Sequence, residues 1–457
     1  MSNSTAVASG SDPRQTIARG SMGLLQIIVV AIAIGVTALD GFDVQSISFA
    51  SVGIRQEWHL PPDGLGWVLS MELWGMALGS LLLGGVADKL GRRPTTLWCL
   101  LLMLAGMFGA TTAHTPLVLS VWRVLTGLGI GGMLAAINAV TAEFANNRRK
   151  ALCIALMAVG YPVGAVVGGV VVANLLGHDW RQIFYFGTAV TAAFVPIVLF
   201  LMPESVHWLV QKQPANALDK VNRALKRMGH PETDALPSIS LQQRGSIADI
   251  FAPGIIVTTL MLAVIYFFHV LTFYFLIKHI VLFLKDMGFQ QSDGQNVLVL
   301  ANLGGAAGGT VLGLLALRFP VKPLTIGAMV LSMVSVAVLG HTSANLSQLV
   351  LFAALGGFCA NGAIVGMYAI FANAYPTQVR AFGTGFAIGI GRGGSALAPV
   401  LGGYLLKAGY HWPVVFTIMG SSALLAAILL SLLKLQPEER QEVTQQAGSG
   451  APSLTGA

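Results

Sequence analysis

Charged side chains are scarce in this sequence of 457 residues. Asp, Glu, Lys and Arg together make up 10% of it, whereas 55% is hydrophobic. An average soluble domain is about 25% charged, so this composition excludes an ordinary soluble globular protein. The formal net charge of +7 comes largely from basic clusters that flank apolar runs. That distribution indicates membrane topology rather than nucleic-acid binding.

Cysteine is also rare, and each of the three cysteines lies in a separate apolar segment: Cys99, Cys153 and Cys359. This spacing excludes a disulfide framework and a cysteine metal site, and we expect no cofactor. A cleavable signal peptide is not expected either, because the first apolar run is too long for one. Short alternating segments typical of a membrane β-barrel are absent.

Long apolar runs are abundant instead, and each is long enough to cross a hydrocarbon core of ~30 Å as a helix. They predict an all-α polytopic membrane protein with twelve transmembrane helices in two pseudo-symmetric six-helix bundles. We place the spans near 24–50, 65–87, 95–114, 117–141, 151–175, 182–202, 254–284, 294–317, 322–341, 346–372, 382–407 and 413–434.

The same pattern predicts five regions: an N-terminal tail at 1–23, a bundle at 24–203, a linker at 204–253, a second bundle at 254–435 and a disordered tail at 436–457. Within the linker, one helical face carries Leu218, Val221, Leu225 and Met228. Such a face predicts an amphipathic helix at the membrane surface.

The basic residues indicate how the chain is oriented. With the N-terminus inside, nineteen Lys and Arg residues fall in cytoplasmic segments and four in outer ones. Because cytoplasmic loops carry an excess of Lys and Arg, both termini and the linker are predicted to be cytoplasmic. Three cations fall inside spans: Arg123, Lys278 and Arg392.

The two halves of the chain resemble each other weakly. "LMPES" after the sixth span matches "LQPEE" after the twelfth, and the segments that enter spans five and eleven are similar. Internal repeats of this kind are typical of alternating-access transporters, with a binding site near the midplane.

Four motifs resemble those of the major facilitator superfamily. The segment "GGVADKLGRR" at 84–93 resembles the loop between helices 2 and 3 of that family. Arg123 with the glycines that follow resembles its helix-4 motif, "GYPVGAVVGG" at 160–169 its helix-5 motif, and "PESVHWL" at 203–209 the end of its helix 6. The resemblance covers nearly the whole chain and implies a secondary transporter.

Two further stretches resemble the aromatic acid:proton symporters within that superfamily. They are "DGFD" at 40–43 and "GIGRGG" at 389–394. The resemblance implies that Asp40, Asp43 and Arg392 are functional, with an aromatic carboxylate and protons as the transported partners. The helix-7 stretch around Lys278 departs from the family pattern, so the transported acid could be different from, or bulkier than, the usual substrate of the family.

Each intramembrane charge allows two interpretations. A guanidinium can hold a carboxylate through two parallel hydrogen bonds, so Arg392 is a candidate for substrate binding; the alternative is a structural ion pair. Asp40 and Asp43 lie one helical turn apart. Two such close carboxylates should not both stay ionised in a low dielectric, which favours proton coupling over purely structural pairing.

The remaining candidates fall into two groups. Tyr161, Phe42, Tyr274 and Lys278 are expected to line the substrate site, although Lys278 could instead extend to the membrane surface. Gating or conformational roles are expected for Asp88, Arg92, Arg93, Arg123, Glu143, Arg148, Arg149 and Arg380. Glu143 is expected to join Asp88, Arg148 and Arg149, and the role of Glu72 is open.

We therefore predict proton-coupled uptake of an aromatic carboxylic acid by alternating access. The expected setting is the lipid bilayer of a bacterial inner membrane, with the monomer as the functional form. Carriage of another organic anion or a sugar-like solute is the alternative, and a ligand sensor a more distant one. An enzyme is not expected, because the paired aspartates lack a metal-ligand cluster or phosphate loop.

Overall fold

The computed structural model describes residues 12–83, 85–175, 179–237, 250–253, 255–375 and 379–433, without the side chains of residues 175 and 380–382. Within these ranges the chain forms sixteen α-helices and no β-strand. Twelve of them have at least twenty residues, which is the length that an apolar helix needs to cross a bilayer.

The helices follow one another in a fixed order. They are α1 (Pro13–Arg19), α2 (Leu24–Trp58), α3 (Pro62–Leu83), α4 (Val86–Leu90), α5 (Arg92–Thr111), α6 (Pro116–Phe144), α7 (Lys150–Leu175), α8 (Arg181–Leu201), α9 (Val206–Lys212), α10 (Ala217–Met228), α11 (Ile256–Asp286), α12 (Gln291–Leu315), α13 (Val321–His341), α14 (Leu346–Ala374), α15 (Arg380–Lys407) and α16 (Trp412–Leu432).

Eleven of these helices are both long and apolar enough to span a membrane, within the part of the chain that the structure describes. The twelfth predicted span, near 382–407, coincides with α15, which is long enough but is not among the eleven. Its sequence is rich in glycine and carries Arg392, which lowers its mean hydropathy. The predicted all-α polytopic fold is confirmed.

The chain divides into two compact units. The first comprises 1–242, 277–303 and 399–408, and the second comprises 243–276, 304–398 and 409–457. In the first unit α2 packs against α7, and α6 packs against both α3 and α5; in the second, α13 packs against α14 and α16. The regional boundaries inferred from the sequence, including bundles at 24–203 and 254–435, stay a prediction.

Two sequence motifs meet where α2 packs against α7. A Cβ atom placed on Gly41 would overlap the backbone of Tyr161, and one on Gly164 would overlap the backbone of Ala38. Glycine is therefore required at both positions for the two helix backbones to lie this close. The contact brings "DGFD" of α2 against "GYPVG" of α7.

The amphipathic helix predicted in the linker is α10, but its apolar face does not lie free for a lipid surface. Val221, Leu225 and Met228 are buried, and α10 packs on α9 and on the start of α2. Beside it, the His230 imidazole donates to Gln26 Oε1 at 3.0 Å, and Gln26 Nε2 donates to the Phe144 carbonyl at 2.7 Å. Protein contacts thus replace the predicted lipid contact.

Candidate functional site

Four ionisable side chains of the first unit form what we call the buried charge cluster. They are Asp43 of α2, Glu72 of α3, Arg123 of α6 and Lys278 of α11, and each is 0% exposed. Moving such charges out of water costs several kcal/mol each, so partners must compensate them. The contacts of each residue show how far that compensation goes.

Arg123 has partners on four helices. Its Nη2 forms an ion pair with Glu72 Oε2 and donates to the Asp43 carbonyl oxygen at 2.8 Å. Its Nη1 lies 3.1 Å from the Met107 sulfur, and its guanidinium carbon lies 5.3 Å from the centre of the Phe184 ring. Arg123 is thus a structural ion-pair partner of Glu72, and a role in coupling stays a prediction.

Lys278 does not reach the membrane surface, so the alternative that it snorkels outward is wrong. Its ammonium group donates to the Val44 carbonyl oxygen and lies 4.0 Å from Glu72 Oε2. Glu72, whose role was open, therefore serves both buried cations. Substrate binding by Lys278 stays a prediction.

Asp43 is the least compensated member of the cluster. Among the described residues, neither of its carboxyl oxygens has a hydrogen-bond donor. The Ser46 hydroxyl and the Arg123 guanidinium both donate to its backbone carbonyl instead, at 2.6 and 2.8 Å. A buried carboxyl without a donor is costly, which distinguishes Asp43 from Glu72 in the same cluster.

The other predicted residues of "DGFD" lie in the same neighbourhood. Asp40 is 2% exposed and stands one turn before Asp43 on α2. The Phe42 ring packs edge-on against Phe186, with ring centres 5.2 Å apart. Tyr161 is half-buried on α7 where its backbone contacts Gly41.

Arg392 and Tyr274 belong to the second unit. Arg392 is half-buried on α15, directly after Gly391, against which the Tyr266 ring packs. Tyr274 is half-buried on α11, and its ring lies edge-on to Phe273 with the centres 5.4 Å apart. Arg392 is therefore only partly accessible to solvent. The neighbouring glycine allows α15 to pack closely against Tyr266 of α11.

A second polar network joins α4, α5 and α6. Arg92 Nη2 lies 2.8 Å from Glu143 Oε1, and Arg92 Nη1 lies 2.8 Å from Asp88 Oδ1. Glu143 and Asp88, which were expected to share a network, therefore pair with the same Arg92, whereas the expected pairing of Glu143 with Arg148 or Arg149 is wrong. Those two arginines are exposed and form no ion pair among the described residues, because the loop after α6 directs them to solvent.

Glu204, which was not among the predicted site residues, fixes the start of α5. Its Oε1 accepts hydrogen bonds from the backbone N–H groups of Ser205 and Arg92 at 2.8 and 2.9 Å. Burial raises the pKa of the Glu204 carboxyl, while these N–H groups act in the opposite direction. Gly91 has φ +111°, and a Cβ there would overlap the carboxylate. The "PES" motif, which contains Glu204, was the feature of the sequence that could have pointed to this residue.

Two predicted gating residues have other surroundings. The Arg93 guanidinium donates to the Leu199 carbonyl of α8, and its gating role stays a prediction. Arg380 is the first residue of α15, but its side chain lies outside the described part of the structure.

The chain is similar to known transporters over most of its length. The profile of the Major Facilitator Superfamily matches residues 33–294 and 262–456. A gallate transporter of Pseudomonas putida is 30% identical over 92% of this chain and 94% of its own length. A 3-(3-hydroxy-phenyl)propionate transporter of Escherichia coli is also 30% identical, over 89% of this chain and 93% of its own length.

Solved structures show the same fold. A D-xylose–proton symporter superposes with a TM-score of 0.70 at 16% identity, covering 90% of this chain and 98% of that one. A partially occluded, inward-open form of the xylose transporter from E. coli gives 0.71 at the same identity and coverage. With the family profile and the two relatives, these findings establish that the chain belongs to the Major Facilitator Superfamily and is a multi-pass membrane transporter, not an enzyme.

Proposed function

We propose that the protein is a symporter that takes up an aromatic carboxylic acid together with protons. The relatives at 30% identity are named as transporters of gallate and of a hydroxyphenyl propionate, which supports an aromatic acid as the substrate. A 4-hydroxybenzoate transporter of Pseudomonas putida, 28% identical over 88% of this chain and 90% of its own length, supports the same class.

The observation that carries proton coupling is the Asp43 carboxyl. It is fully buried and, among the described residues, lacks a hydrogen-bond donor. Glu72 differs from it, because Arg123 and Lys278 both compensate its charge. Asp43 is therefore the carboxylate that gains most from holding a proton, and Asp40 one turn away is the alternative carrier.

In the proposed mechanism Arg392 binds the carboxylate of the substrate. A guanidinium is always charged and offers two parallel N–H donors that match a carboxylate. A proton on Asp43 or Asp40 offsets the negative charge of the substrate, so that the loaded carrier is close to neutral when it changes conformation. Phe42, Tyr161, Tyr274 and Lys278 are proposed to line the path of the aromatic ring.

The Asp88–Arg92–Glu143 network is proposed to act in gating together with Arg93, Arg123, Arg148, Arg149 and Arg380. Unlike the buried charge cluster, this network reaches water at Asp88, which is 49% exposed, while its central Arg92 is buried. The Arg92–Asp88 pair can therefore separate at a lower cost than the pairs of the buried charge cluster. We further propose a bacterial inner-membrane location, cytoplasmic termini and a monomeric functional form.

Uptake into proteoliposomes tests this proposal. Labelled benzoate, 4-hydroxybenzoate and gallate are offered with an inward proton gradient, and again with a protonophore. We expect gradient-dependent uptake of at least one acid, loss of uptake in Arg392→Ala, and loss of gradient dependence in Asp43→Asn.

Matched variants at exposed positions serve as controls: Arg318→Ala and Asp219→Asn remove the same charges at exposed side chains. Both should transport like the native chain. Uptake that ignores the proton gradient, or native rates in Arg392→Ala and Asp43→Asn, would overturn the proposed mechanism. If the protein takes up xylose or an aliphatic acid but none of the aromatic acids, the alternative of a sugar-like or other organic-anion substrate is favoured.

A further inference from the structure

Two tyrosines of the second unit share a hydrogen bond that none of the predicted roles uses. The hydroxyl oxygens of Tyr266 on α11 and Tyr368 on α14 lie 3.1 Å apart. Both rings contact Phe371, with ring centres 5.5 Å from Tyr266 and 6.3 Å from Tyr368. We call these two residues the tyrosine pair.

The pair lies beside the helix turn that carries Arg392. A Cβ atom on Gly391 would overlap the Tyr266 ring, so this ring packs directly against the α15 backbone at that residue. One turn further, a Cβ on Gly394 would overlap the Phe267 carbonyl. Gly394 thus allows α11 and α15 to touch through their backbones, and Gly391 leaves room for the Tyr266 ring beside the residue that precedes Arg392.

The two tyrosines differ in their exposure. Tyr266 is 5% exposed, whereas Tyr368 is 44% exposed. A phenol has one donor and can accept two hydrogen bonds. Because an unsatisfied buried donor is costly, the hydroxyl of Tyr266 should donate to Tyr368. The Tyr368 hydroxyl then keeps its own proton for a group that approaches from the exposed side.

We propose that the tyrosine pair recognises a ring hydroxyl of the transported acid. This inference rests on the proposed function, in which Arg392 binds the carboxylate. The substrate class is then narrowed to hydroxylated aromatic acids, with Tyr368 as the group that contacts the hydroxyl and Tyr266 as a positioning residue. A site built around a hydroxyl discriminates against analogues that lack it, because its own polar groups are then left unpaired.

The test compares the initial uptake of labelled benzoate and 4-hydroxybenzoate into proteoliposomes that contain the native chain, Tyr368→Phe or Tyr266→Phe. We expect the native chain to favour 4-hydroxybenzoate by about tenfold or more in kcat/KM, which is a typical worth of one hydrogen bond to a ligand. Tyr368→Phe should lose most of that preference, because kcat/KM for 4-hydroxybenzoate should fall more than kcat/KM for benzoate. Tyr266→Phe should weaken the preference to a smaller degree.

Tyr410→Phe, at an exposed tyrosine outside the pair, is the matched control and should keep the native preference. If the native chain takes up neither acid nor gallate, the proposed function fails. If it takes up aromatic acids but does not favour the hydroxylated one, or if Tyr368→Phe slows both acids equally, the tyrosine pair only packs α11 against α14. That result overturns the inference alone.

Discussion

Glu72 stabilises two buried cations at once, and this explains why Lys278 can lie inside the protein. The ammonium group of Lys278 gains a carboxylate 4.0 Å away and a carbonyl acceptor at Val44, while Arg123 holds the same carboxylate from α6. Each cation has a stem of methylene groups that packs well in an apolar interior. Removing the shared carboxylate should therefore affect both cations.

Glu72→Gln alone should destabilise the protein more than the double variant in which Lys278 is also replaced by Met. Breaking a buried pair by deleting one partner costs about 3–5 kcal/mol, because the remaining charge stays buried. The double variant Glu72→Gln with Lys278→Met removes one positive and one negative charge and should recover part of that loss. The measurement is the thermal midpoint of detergent-solubilised protein.

Lys407→Met is the matched control, since Lys407 pairs with Asp63 at 2.7 Å but is 57% exposed. A surface pair contributes about 0–1 kcal/mol, so this variant should shift the midpoint little. A double variant that is less stable than Glu72→Gln alone would contradict the shared role of Glu72.

At the scale of helices, the contact between α2 and α7 depends on glycine rather than on apolar side chains. Helices in a membrane gain little hydrophobic free energy from each other, so close backbone packing must provide the attraction. Gly41 and Gly164 permit it on opposite sides of the same crossing. The aspartates of α2 are positioned by this contact.

Gly164→Ala should lower the thermal midpoint, because the added methyl group would overlap the Ala38 backbone and push the helices apart. Overpacking of this kind costs about 1–3 kcal/mol. Gly327→Ala on α13 is the control, since nothing lies within 4 Å of the added atom. There the better helix propensity of alanine should leave stability unchanged or raise it. Equal shifts for both variants would contradict the packing argument.

The helices themselves could largely be predicted from the sequence, and their pairing partners could not. Apolar runs and their basic flanks predict where the spans lie, because length and hydropathy are local properties of the chain. The partner of Lys278 lies on α3, and that of Glu143 lies on α5. Such pairs depend on which helices pack together, which no local pattern contains. The sequence therefore predicts neither the pairing of Lys278 with Glu72 nor that of Glu143 with Arg92.

At the scale of the whole molecule, the excess of Lys and Arg on one side predicts which loops face the cytoplasm. The three native cysteines are buried in the structure. Buried thiols react slowly, so a thiol introduced at an exposed position can be labelled against a low background. The topology can thus be tested in intact cells.

A membrane-impermeant maleimide should label Ser343→Cys in intact cells, because this exposed residue lies in a loop predicted to be outside. Lys212→Cys, exposed at the end of α9, should be labelled only after the cells are opened. The native chain is the control for background labelling. The reverse pattern would show that the orientation predicted from the basic residues is wrong.

The burial of Lys278 has a consequence for biosynthesis. A lysine at the centre of a membrane helix costs about 2.5–3.5 kcal/mol to insert, and Lys278, which lies between the centre and the end of α11, carries part of that cost. Its partners Val44 and Glu72 belong to α2 and α3, which leave the ribosome long before α11 does. In the full chain the ammonium group therefore meets a carboxylate and a carbonyl that have already been synthesised. A fragment that starts at α11 lacks both, so the C-terminal half expressed alone should insert poorly unless the N-terminal half is co-expressed.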